Sequence, residues 1–73
     1  MITSESWLQA FADCLGVDAL SAQDVSSILE LAGSAAHASQ RIAAPVACWL
    51  AARAGLTPTE ALEVARGVIV EDS

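Results

Sequence analysis

The chain predicts an all-α domain, a compact four-helix bundle-like fold with short loops, on three observations. Apolar residues recur at three- and four-residue intervals in four separate stretches, the spacing of one helix face. Each stretch opens on a capping residue or a proline, and two of them close on glycine, at Gly16 and Gly55. No segment alternates strictly enough for a strand. Val68, Ile69 and Val70 are β-prone but too few, and they continue a helical stripe.

The first helix is expected at about residues 4–15. Thr3 or Ser4 can cap it, Glu5 suits the positive end of the helix dipole, and Gly16 is placed as a left-handed stop. Trp7, Leu8, Phe11, Leu15 and Cys14 form its apolar stripe. The second is expected at about 22–41, opened by Ser21 with Asp24 in the glutamate position of a capping box. Val25, Ile28, Leu29, Leu31, Ala32, Ala35 and Ala36 mark its inner side. Gly33 and Ser34 weaken its middle by about 1 kcal/mol in intrinsic propensity and leave room for a neighbouring helix.

Pro45 opens the third helix, about 45–54, because proline fits the first helical position and disfavours helix in the residue before it. Val46, Trp49, Leu50 and Arg53 line one side. The fourth start, for a helix at about 58–70, is the clearest: Thr57, Pro58 and Glu60 supply the N-cap, the first-turn proline and the reciprocal carboxylate. Ala61, Leu62, Ala65, Val68 and Ile69 are expected inward, and Glu63 and Arg66 can pair outside for a few tenths of a kcal/mol. Glu71 and Asp72 oppose the dipole at the end, which predicts a loose tail. With so much alanine, Trp7, Phe11 and Trp49 are expected to carry the burial, and Trp49→Ala to cost about 3–5 kcal/mol.

Composition narrows the classes of function. At 73 residues there is room for one domain with a small core. Nine acids against three arginines and no lysine give a net charge of −6. Three scattered arginines cannot make the basic stripe that nucleic-acid binding needs, and an anionic membrane surface is disfavoured likewise. No run reaches the roughly 18 apolar residues of a membrane span, and the N-terminus lacks the positive region of a signal peptide, so the expected setting is cytoplasmic. Cys14 and Cys48 stand 34 positions apart with one histidine between them, which is no zinc pattern and fits two reduced core thiols. Hydrophobic residues make up 55% of the chain, more apolar surface than one small bundle hides, which predicts a homodimer or a larger protein partner.

Polar chemistry concentrates in residues 36–45, A-H-A-S-Q-R-I-A-A-P, where His37 precedes Arg41 by one helical turn. Two roles are open to the pair. His37 could act as a base or an anion-binding imidazole, held neutral by the nearby cation. Alternatively, both residues satisfy the carbonyls at the C-terminal end of the second helix, where positive charge is favourable. No nucleophile or paired acid accompanies them, and phosphate-binding glycine loops, nucleophile elbows and His-Glu-x-x-His are missing. The remaining carboxylates read as caps and solvated faces. No catalytic residue, metal or cofactor is therefore implied, and the chain is read as a non-enzyme.

Two resemblances bear on function. The segment leading through Asp18, Ala19 and Leu20 superficially resembles the carrier motif of acyl carrier proteins, but Ala19 stands where their phosphopantetheine serine would be, so the attachment hydroxyl is missing. A wider likeness covers nearly the whole chain. Trp7-Leu8 in the first helix, Leu15-Gly16-Val17-Asp18 after it, and His37, Arg41, Ala43, Ala44 and Pro45 resemble a small actinobacterial helical domain of unknown function. Ile42 replaces the first proline of that signature, which bears on where Arg41 points. Such domains occur alone or fused to molybdenum cofactor guanylyltransferases. The resemblance implies an accessory role near molybdenum cofactor nucleotide maturation. The reading of the residues is a protein-interaction domain that docks on a larger enzyme or on itself through a corner at His37, Arg41 and Pro45 and the neighbouring apolar surface. A small anionic ligand, nucleotide or pterin, is the alternative at that corner.

Overall fold

A computed structural model describes residues 2–70. Four helices follow in order, α1 (Ser4–Leu15), α2 (Ala22–Ala38), α3 (Ala43–Arg53) and α4 (Pro58–Arg66), with no strand among the described residues. The expected all-α fold class is observed. None of these helices is long and apolar enough to cross a membrane.

Local chemistry places most of the ends. Thr3 caps α1, its hydroxyl accepting from the Ser6 N–H at 3.1 Å. At the other end Gly16 adopts φ +74°, and the Val17 N–H reaches the Ala12 carbonyl at 3.0 Å, closing a Schellman motif. The same device ends α3, with Gly55 at φ +76° and the Leu56 N–H donating to Ala51 at 3.3 Å. Ser21 accepts from the Asp24 N–H at 3.1 Å. In α4 the Thr57 N–H donates to Glu60 Oε1 at 2.9 Å while the Glu60 N–H donates to Thr57 Oγ1 at 3.2 Å, a complete capping box.

Three boundaries differ from expectation. α2 stops at Ala38 rather than running to Arg41. The Ser39 hydroxyl donates to the Ala35 carbonyl at 2.8 Å, beside the Ser39 N–H at 3.2 Å, and the Ser39 backbone leaves helical geometry at φ −144°, ψ −98°. A serine side chain that takes a helix carbonyl offers the backbone an alternative to continuing. α3 starts at Ala43, two residues before Pro45. Bonds from the Ala43 N–H to Gln40 (2.9 Å) and the Ala44 N–H to Arg41 (3.1 Å) wind the turn that leads into it. Pro45 forfeits no hydrogen bond there, since the first four N–H groups of a helix have no partner inside it. α4 ends at Arg66 rather than residue 70, where Gly67 and three β-branched residues have poor helix propensity. Val68 and Ile69 are accordingly exposed, not inward-facing. The expectation for Glu71 and Asp72 falls outside the described residues.

α2 is the hub, packing against both α3 and α4, whereas α1 makes no comparable contact with any element. The core is Leu31, Ala61 and Leu62, flanked by half-buried Cys48, Ala51, Leu56 and Ala65. On α4, Ala61, Leu62 and Ala65 do face inward as expected. The aromatic residues expected to carry the burial do not: Trp7 is 55%, Phe11 48% and Trp49 72% exposed. α3 turns Cys48 and Ala51 to the core and its Trp49 side to the outside. Trp49→Ala therefore cannot cost what a core aromatic would. Leu29 and Cys14 are likewise exposed, so of the two free thiols only Cys48 contributes to packing.

The outcome is a four-helix bundle-like domain of elongated shape. Its principal extents are 44 × 27 × 18 Å, and a 17-residue helix such as α2 is only about 25 Å long. The radius of gyration is 13.5 Å, against about 11 Å for a compact chain of this length.

Candidate functional site

His37 lies in the last turn of α2, where a basic side chain suits the helix dipole, and it is exposed. It lines a shallow, open depression between α2 and α4 with Glu30, Gly33, Ser34, Leu62 and Arg66. Glu30, Gly33, Ser34 and His37 recur over two turns of one helix face, and α4 supplies the opposite wall. The two small residues open this depression rather than admitting a close helix, because a Cβ added at Gly33 would meet nothing within 4 Å.

Across the depression Arg66 donates to Glu30 Oε2 at 3.1 Å, and the side chains are 63% and 55% exposed. Arg66 was expected to serve Glu63 on its own helix; it links α4 to α2 instead. At that exposure the pair contributes under about 1 kcal/mol. Glu30 was within reach of sequence reasoning, seven residues before His37 on the same face. Arg66 carried no such signal, being 36 positions from its partner.

Arg41 stands beyond the helix break, exposed in the link to α3. It does not share a continuous helical face with His37, which removes the geometry on which the expected corner depended. Pro45 is exposed in the first turn of α3. A second open depression is lined by Ser39, Gln40, Ile42, Ala43 and Val46, and includes none of the three. His37, Arg41 and Pro45 thus occupy three neighbouring segments rather than one pocket.

The polar groups offer little chemistry. Among the described residues, no three His, Cys, Asp or Glu side chains come together as a metal site. Glu60 is held below the ordinary carboxylate range, first by the Thr57 backbone N–H and then by the Thr57 hydroxyl. That shift belongs to the cap of α4.

The prominent surface is apolar. On α1, Trp7, Leu8, Phe11 and Leu15 form an exposed stripe in which Trp7 and Phe11 stack at 5.1 Å between ring centroids. On α3, Val46, Trp49 and Leu50 form a second. Sequence periodicity finds both stripes but assigns them to the interior; both are exposed. α1 carries only acids, Glu5 and Asp13, with the Gln9 amide donating to Asp13 at 3.1 Å away from the stripe. The sole charge on α3 is Arg53.

Neither a curated protein nor a solved structure matches the chain. A family described as Domain of unknown function (DUF6457) matches residues 2–71. With that match spanning nearly the whole sequence, the chain belongs to this family.

Proposed function

We propose that the chain is a non-enzymatic protein-interaction domain whose working surface is the pair of apolar stripes on α1 and α3. The observation that carries this reading is the exposure of its largest apolar side chains over a core of two leucines and small residues. Exposed apolar stripes of this kind on a small chain mark places where another protein binds. Buried aromatic anchors supply most of the energy of such contacts, and Trp7, Phe11 and Trp49 are the natural anchors here. His37, Arg41 and Pro45 are exposed, and in this reading they contribute orientation more than affinity.

The likeness to actinobacterial domains fused to molybdenum cofactor guanylyltransferases supports an accessory role beside molybdenum cofactor nucleotide maturation, in the cytoplasm. Such an enzyme is the first partner to test. Calorimetric titration of the purified enzyme with this chain should give a saturable complex that Trp49→Asp weakens at least tenfold and Arg41→Ala changes less. Absence of binding at 100 μM would refute that partner. In parallel, titration with guanine nucleotides and pterin phosphates, followed at the His37 ring protons, tests the anionic-ligand alternative. A saturable shift there would replace docking with ligand binding.

A further inference from the structure

Resting on the interaction-domain reading, we infer that the occupant of the two stripes is a second copy of the chain, in a two-fold dimer with α1 of each copy laid across the Trp49 side of α3 of the other. Three observations favour a second copy.

The first is area. The chain exposes 6080 Å², whereas a folded monomer of 7.5 kDa exposes about 4,200 Å². The excess, to which the exposed Val68, Ile69 and Val70 contribute beside the stripes, is roughly 1,800 Å² per chain, or about 3,700 Å² for two, an upper bound that falls inside the range of obligate homodimers. A partner of standard size would cover only about 800 Å² and leave more than half of it open.

The second is the sparse packing of α1 among the described residues, where Ala12 alone of its side chains is buried. The helix makes no extended contact with α2, α3 or α4. The link at residues 17–21 has no regular structure and, extended, spans about 17 Å, enough for α1 to leave its own body. One chain thus holds both a donor stripe and an acceptor stripe that it does not bring together. Reciprocal exchange closes both at once, which is the arrangement that stops at two copies.

The third is charge. α1 bears Glu5 and Asp13 and no base, while α3 bears Arg53 and no acid. Laying α1 on α3 sets a helix of negative net charge beside one of positive net charge, with Asp13 on the far side of α1. Pairing α1 with α1 would set two acidic helices side by side, so the exchange is favoured over that alternative.

The test uses the full chain. Sedimentation equilibrium from 1 to 100 μM should give twice the 7.5 kDa chain mass, with tryptophan emission moving to longer wavelength as the dimer dissociates on dilution. Phe11→Asp and Trp49→Asp should each weaken self-association by about 10³-fold, because every homodimer carries the lesion twice. Mixed in equal amounts, the two variants should associate at least about tenfold more tightly than either alone, since one α1–α3 contact is then intact and both lesions fall in the other. Circular dichroism shows whether each variant keeps its helices, and Phe11→Ala with Trp49→Ala serves as the milder pair. A wild-type monomer at 100 μM, a dimer indifferent to both substitutions, or a mixture with no gain would each overturn the exchange. A monomer that still binds the guanylyltransferase would overturn the dimer and leave the interaction-domain reading standing. A dimer that binds no such enzyme would do the reverse for that partner.

Discussion

Leu31→Ala tests where the stability of this chain resides. Leu31 is 5% exposed and sits where α2 meets α4 and α3, against Ala61, Leu62, Cys48 and Ala51. Removing a fully buried leucine from contact loses about 1.5–3 kcal/mol of transfer free energy. A further term comes from the cavity, and the alanines around this one have no side-chain length with which to fill it. The total belongs in the upper half of the range for such truncations, about 3–4 kcal/mol. A chain of 73 residues has about 4–11 kcal/mol of stability in all, and a core this small puts it near the lower end. Thermal unfolding followed by circular dichroism, at one chain concentration for wild type and variant, should show a Tm drop of roughly 12 °C or more. Val64→Ala, on the exposed side of α4, is the control and should move Tm by no more than about 4 °C. A drop below about 4 °C for Leu31→Ala would refute the placement of the core at the junction of α2, α3 and α4.

Three further outcomes follow from local geometry. Gly55→Ala should destabilise by about 1 kcal/mol through the left-handed backbone at φ +76°, not through crowding, since nothing lies within 4 Å of the added carbon; equilibrium urea unfolding measures it, and Gly67→Ala, at φ −96°, should lack this penalty. Glu60 has a lowered pKa, so its contribution is complete above the ordinary glutamate range, about 4.3, and is lost as pH falls through its lower value in the fold. Wild type should therefore lose more stability than Glu60→Gln between pH 6 and pH 3, and parallel acid limbs would remove the capping-box account. A double-mutant cycle on Glu30→Gln and Arg66→Gln should return a coupling below about 1 kcal/mol, given the exposure of both partners; a larger value would show that the pair is shielded from solvent.

How much of this could be read from residues alone depended on the range of the interaction. Thr3, Ser21, the Thr57 and Glu60 box, Gly16 and Gly55 act within a few residues of themselves, and each helix end they govern was legible. Ser39 acts over the same short range but was read as part of a continuing helix, because serine is acceptable in a helix interior until its hydroxyl captures the Ala35 carbonyl. The backbone break at Ser39 separates His37 from Arg41 and dissolves the expected corner. The substitution of Ile42 for proline pointed the opposite way, toward a longer helix.

Periodicity identified the apolar faces of α1 and α3 correctly, but it carries no information about what covers them. Alanine turned one side of α3 to Leu31, and the Trp49 side was left to water. The Arg66–Glu30 bridge joined residues 36 apart for which no local pattern exists. Capping energies are directional and act over a few ångströms along the chain, so the order of residues contains them. Apolar burial has no direction and draws on whichever surfaces the assembled helices bring near, so the tertiary arrangement alone settles which stripe becomes core and which remains exposed.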